Sequence, residues 1–256
     1  MSSPITDLEK GMMARIVDYQ KLRDKIMQVI CDHNDKPEKW LDTGCGTGGS
    51  IRSAIESNPE TYFVLAEPSM DNLMKAREVT KDLSFCEFIN STTDELTLDS
   101  GSFDVITSIL SHHYYSDMDL KKKAFSNCYR MLKKDGIYVT VEHTIHKKDQ
   151  SSYDEEWASY MWDHGLDEES IKNMFQRRNT AYFPKTEDEL ITMLKDSGFE
   201  DVQVIWRTCS DVGLYATEVI SRSLGNPCFS AIILSHTDLH RNRFSRIPEH
   251  PRIRNP

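Results

Sequence analysis

Apolar side chains recur near the N-terminus at Leu8, Met12, Ile16, Leu22, Ile26 and Ile30. This spacing is close to the helical period and predicts helix over residues 8–33. The pattern then changes. Trp40-Leu41 and Thr61-Tyr62-Phe63-Val64-Leu65-Ala66 are short apolar runs that read as strands. Helical spacing returns after Ser69. Phe103-Asp104-Val105-Ile106 and Tyr138-Val139-Thr140-Val141 predict further strands. Strands alternating with helices imply an α/β fold around a largely parallel sheet.

Later segments extend the alternation. Thr186 and Glu189 form a capping-box pattern that starts a helix ending at Gly198. Val202–Trp206 alternates as a strand. Asp211–Leu224 is expected to be a helix stopped by Gly225-Asn226, followed by a last strand at Cys228–Leu234. Between the fifth strand and the Thr186 helix lies a long excursion, His146–Lys185, expected to be a helical lid. Its Trp157, Tyr160 and Trp162 are candidate walls of a substrate pocket. Packing on the sheet would equally account for most of the lid's aromatics.

The chemistry starts at Leu41-Asp42-Thr43-Gly44-Cys45-Gly46-Thr47-Gly48. Glycines between a strand and a helix allow positive φ and let a ligand approach backbone amides. The spacing is not the full dinucleotide fingerprint, and no Gly-Lys-Ser/Thr ending marks a phosphate loop. Glu67 ends the second apolar run, 19 residues after Gly48. A carboxylate at that strand tip can accept both hydroxyls of a ribose.

These blocks, with Ala66-Glu67-Pro68-Ser69, Ser102–Ile106 and Met131–Ile137, resemble the class I S-adenosylmethionine-dependent methyltransferases over residues 38–145. The resemblance implies a Rossmann-like seven-stranded sheet with helices on both faces, and S-adenosylmethionine as cofactor. It places Asp42 and the amides around Gly44, Cys45, Gly46 and Gly48 at the methionine end, with Glu67 and Pro68 at the ribose. An aspartate that often meets the adenine in this family is replaced by Thr92, beside Thr93. Ser108 falls where the family makes a backbone contact to the methionine moiety. Tyr19 either closes on the cofactor or is a core aromatic.

Catalytic candidates follow the fourth and fifth strands, whose carboxyl ends border the ligand crevice of an open α/β sheet. His112 ranks first as a general base, then His143 and Glu142. His113 and Tyr115 are expected to pack as structural residues. No paired Cys-x-x-Cys or His-Glu-x-x-His pattern indicates a metal.

Composition adds bounds. The 256 residues suffice for one domain with decorations: an N-terminal helical cover (1–35), the cofactor core (38–145), the lid (146–185), the rest of the sheet (186–240) and a flexible basic tail (241–256). No signal sequence or membrane-length apolar run is visible, and unpaired-looking cysteines fit the cytoplasm. Net charge is −10, with +4 on residues 241–256 and −14 on the rest. That balance disfavours nucleic acid as a partner. The expected activity is therefore N- or O-methylation of a small, neutral or cationic acceptor by a monomer or homodimer. Two alternatives remain: an RNA or protein methyltransferase that uses the basic tail, and a non-catalytic cofactor-binding protein. The lid and Ser197–Asp201 also resemble carboxy-S-adenosylmethionine synthase. Met193, however, stands where that family has a basic residue for the cofactor's extra carboxylate, so the synthase activity is not expected.

Overall fold

A computed structural model describes residues 7–82 and 86–218. In chain order the elements are α1 (Asp7–Arg15), α2 (Tyr19–His33), β1 (Lys39–Thr43), α3 (Gly49–Ser57), β2 (Tyr62–Ala66), α4 (Met70–Val79) and β3 (Cys86–Ile89). They continue with β4 (Phe103–Ile109), α5 (Met118–Met131), β5 (Leu132–His143), α6 (Gln150–Asp163), α7 (Glu168–Gln176), α8 (Glu187–Asp196), β6 (Asp201–Arg207) and β7 (Asp211–Thr217). The seven strands form one sheet in the order β3-β2-β1-β4-β5-β7-β6. β1 to β5 are parallel, and β7 runs antiparallel between β5 and β6.

Alternation along the strands divides the core in two. Trp40, Phe63, Leu65, Val105 and Val139 face α2, α3 and α4. Leu41, Val64, Ala66, Ile106 and Tyr138 face α5 and α8. The sheet is thus buried on both faces, which explains the unbroken apolar runs. A third, smaller cluster gathers Trp157 and Met161 of α6 with Cys209, Val17, Met174 and Phe175. It is the core of the lid.

Two sequence expectations change. The helix over residues 8–33 is two helices, parted at Ile16–Asp18, where Asp18 takes a left-handed φ of 53°. The short polar side chain of aspartate tolerates that conformation. Asp211–Thr217 is strand, not helix. It is buried along its whole length, so it shows no polar alternation, and Gly213 interrupts its run of strand formers. The strand expected at residues 228–234 and the basic tail lie outside the described residues. Among the described residues no helix is long and apolar enough to cross a membrane, and no group of three or more His, Cys, Asp or Glu is placed to hold a metal ion.

β5 also carries a buried ion pair. Glu142 Oε2 accepts from Lys121 Nζ of α5 at 2.8 Å, and neither side chain is exposed. Thr140 donates to the other oxygen of Glu142 at 3.3 Å. Removing one partner leaves an uncompensated buried charge, which costs more than the pair contributes. Lys121→Met is therefore expected to lose about 3–5 kcal/mol of stability. Lys121→Met combined with Glu142→Leu is expected to recover most of that loss, as read by urea unfolding.

Candidate active site

The strand order reverses between β1 and β4, and the crevice of an open α/β sheet forms at that point. A cavity of about 700 Å³ opens there. Its floor is the turn after β1. Gly44 has φ +74° and a Cβ would collide with Ser111. Gly46 has φ +56°, and nothing lies within 4 Å of where its Cβ would stand. One glycine is therefore needed for close packing, and the other leaves its backbone bare toward the cavity.

Two neighbouring strand tips hold this turn. Ala66 O accepts from Gly44 N at 2.8 Å and Cys45 N at 3.1 Å. The carboxylate of Glu67 accepts from Gly46 N at 3.0 Å, Ser69 N at 3.0 Å and, more weakly, Asn72 Nδ2 at 3.4 Å. Asp42 lies beneath, 4% exposed, and accepts from Thr107 Oγ1 at 2.7 Å. Trp40 Nε1 donates to the same Thr107 hydroxyl at 3.0 Å. Burial, only partly offset by the Thr107 bond and reinforced by the charge of Glu67, raises the Asp42 pKa to about 7.

Most residues expected at the cofactor line the cavity: Tyr19, Gly44, Cys45, Gly46, Glu67, Pro68, Thr92 and Thr93. Asp42 supports the floor from below. Gly48 caps α3 and packs against Ala76 of α4. Ser108 does not reach the cavity: its hydroxyl is buried against Tyr138 Oη at 2.6 Å and Thr140 Oγ1 at 2.9 Å. Ile109 and Leu110 reach it instead. Leu110 has φ +55°, a strained turn for a branched residue.

The catalytic expectations are reordered. His112 is 1% exposed, and both its ring nitrogens are engaged, with Thr93 Oγ1 at 2.9 Å and Tyr138 Oη at 3.2 Å. Burial and the Lys121 charge lower its pKa to about 3. It borders the cavity with no nitrogen left for an acceptor's proton. Glu142 does not line the cavity, because Lys121 holds it inside the core. His143 does line it, and its Nδ1 lies 2.6 Å from Asp211 Oδ1 of β7. Ser210 Oγ donates to Asp211 Oδ2 at 2.6 Å. A carboxylate so fixed orients the imidazole and leaves Nε2 to accept a proton. Asp211 is 68 residues from His143 and sits on the strand read as helix, so no local signal linked the two.

His113 shares the cavity, with its ring 4.4 Å from that of His143. Burial first, then the neighbouring cations, holds its pKa well below the usual histidine value.

The lid aromatics are not the walls. Trp157 Nε1 donates to Arg15 O at 2.7 Å, and Tyr160 Oη donates to Met13 O at 2.9 Å and Ile16 O at 3.1 Å. Trp162 is 55% exposed. The lid presents Met174 and Arg177 to the cavity, and α1 presents Met12 and Arg15.

Residues 41–140 match the methyltransferase domain family. The chain carries an S-adenosylmethionine-dependent methyltransferase domain with the class I fold. It is 28% identical over 211 residues to the ubiquinone/menaquinone biosynthesis C-methyltransferase UbiE of Campylobacter jejuni, covering 77% of this chain and 86% of that one. It is 24% identical over 200 residues to a carboxy-S-adenosyl-L-methionine synthase of Nautilia profundicola, covering 77% and 84%. A SAM-dependent methyltransferase structure from Aquifex aeolicus has a TM-score of 0.55 at 17% identity, covering 82% of this chain and 98% of that chain. That likeness shows the fold.

The cavity of this methyltransferase fits S-adenosylmethionine. Thr92 Oγ1 is buried without a hydrogen-bond partner and borders the cavity, ready for a polar ligand atom. Glu67 lines the cavity at the tip of β2, where a carboxylate can accept ribose hydroxyls, and Gly46 leaves room for the cofactor.

Glu67→Ala removes a carboxylate that also orders the turn. Cofactor affinity is expected to fall by roughly 1–3 kcal/mol, read by calorimetry with S-adenosylhomocysteine; an unchanged affinity would refute the assignment. Asp42 supplies a second test. Its folded pKa of about 7 lies above the ordinary aspartate value of 3.8, so the folded apoenzyme binds the extra proton. Its contribution to stability is thus lost as pH rises from about 4 to about 7. Without cofactor, Asp42→Asn is expected to be more stable than the parent at pH 8 by roughly 2–4 kcal/mol, with a much smaller gap at pH 5. Urea unfolding at the two pH values reads it; an equal gap at both shows that Asp42 does not titrate in this range.

Proposed function

We propose that this methyltransferase acts on a small-molecule acceptor at oxygen or nitrogen, with His143 as general base and Asp211 as its positioning residue. The observation that carries this reading is the 2.6 Å contact between His143 and Asp211 on the cavity shared with the glycine turn. S-adenosylmethionine supplies a methyl group on a good leaving group. The chain's own contribution is alignment, exclusion of water and removal of one proton. Glu67 and the turn amides fix the cofactor end. His143 Nε2 takes the acceptor's proton as its oxygen or nitrogen becomes methylated. Asp211 faces the imidazolium that results, and the Ser210 hydroxyl holds Asp211 in place.

A cavity of about 700 Å³ beneath a lid suits a small acceptor better than a polymer. A second reading is transfer to an activated carbon, which the name of the Campylobacter relative states for that protein. The same base would serve it. The position of the labelled methyl group in the product distinguishes the two.

The test is transfer from isotopically labelled S-adenosylmethionine to a library of small hydroxy, amino and enolic compounds, followed by mass spectrometry. His143→Ala is expected to lower turnover by about 10²–10⁴-fold, and Asp211→Asn by a similar or smaller factor, with unchanged cofactor affinity. Full turnover in His143→Ala removes it as the base.

A further inference from the structure

Two consecutive arginines at the end of α7 are treated differently. Arg178 is committed: it makes a two-pronged pair with Asp154 at 2.9 and 2.7 Å and lies over the Phe175 ring. Arg177 has a fixed backbone, its carbonyl accepting from the amides of Thr180, Ala181 and Tyr182 at 3.1, 2.8 and 3.2 Å. Arg177 borders the cavity, and its side chain has no ion-pair or hydrogen-bond partner among the described residues. The lid loop is tied to the histidine segment, because Phe183 N donates to His113 O at 2.7 Å.

His113 is the second observation. It is 1% exposed, it lines the cavity, and neither ring nitrogen has a partner. Buried polar groups in folded proteins are almost always satisfied, so one that faces a cavity calls for a ligand atom. Arg177 is close enough to bear on the His113 charge. The acid lining the cavity is Glu67, and its oxygens already serve Gly46, Ser69 and Asn72. The uncommitted charge in the cavity is therefore positive, against a chain whose net charge is −10.

We propose that Arg177 and His113 form a receptor for a carboxylate, or a comparable oxyanion, on the methyl acceptor. The guanidinium offers a planar fork of donors, and a neutral imidazole offers one N–H. Tyr114, whose ring is 4.4 Å from that of His113, and Met174 supply apolar surface for the body of such a molecule. The neutral or cationic acceptor expected from the overall acidity is replaced by an anionic one. The inference rests on the small-molecule reading above, but it is tested by binding without transfer. Failure of His143 as a base would leave the binding result untouched.

The full chain, saturated with S-adenosylhomocysteine, is titrated calorimetrically with 4-hydroxybenzoate, its uncharged amide 4-hydroxybenzamide, and tyramine. The carboxylate is expected to bind at least about tenfold more tightly than the other two, the scale of a charge-assisted contact. Arg177→Ala, an exposed position whose loss the fold tolerates, should abolish that preference and leave S-adenosylhomocysteine affinity unchanged. His113→Asn should weaken the carboxylate in the same direction. Equal binding of the three probes, tighter binding of tyramine, or binding of none overturns the proposal. A parallel loss of S-adenosylhomocysteine affinity in Arg177→Ala also overturns it, because the arginine would then serve the cofactor's own carboxylate.

Discussion

The clamp between the tips of β1 and β2 is the constraint on which the site depends. Ala66 O holds Gly44 N and Cys45 N, and Glu67 reaches across to Gly46 N. Those bonds hold the turn after β1 against the tip of β2, and Ser111 from the loop after β4 closes against Gly44. The same clamp buries Asp42 and draws it into the chain Trp40–Thr107–Asp42. A hydrogen-bonded floor of acidic residues beneath open backbone is thus built from β1, β2 and β4.

Three histidines near this floor show that residue type does not settle a role. His112 has both nitrogens bonded, which makes it part of the scaffold. His143 has one nitrogen bonded to Asp211, which fixes the orientation of its ring. His113 has neither, although it is equally buried. The difference lies in what each packs against: Thr93 and Tyr138, the edge of β7, and the lid.

That difference also explains how much could be read from the sequence. The glycine turn, the second strand and Glu67 were legible because their signals are local: apolar runs, glycines and a terminal acid within about thirty residues. The partners that decide the histidines' roles are distant in sequence. Asp211 was hidden in a strand without alternation, since both of its faces are buried. Glu142 looked poised at a strand end, yet Lys121, the residue that removes it from the site, lies on a helix whose other lysines are on the surface. Trp157 and Tyr160 were read as pocket walls because aromatics in a lid allow that reading. Their polar tips turned out to face the carbonyls of α1.

Those indole and phenol contacts join two coverings that are about 140 residues apart in sequence. Arg15 O and Ile16 O are the carbonyls left open where α1 ends, and the lid occupies both. Lifting α1 alone would strand these groups, and so would lifting the lid alone. The two coverings therefore act as one piece: each satisfies polar groups of the other, and together they bring Met12 and Arg15 of α1 and Met174 and Arg177 of the lid onto one cavity.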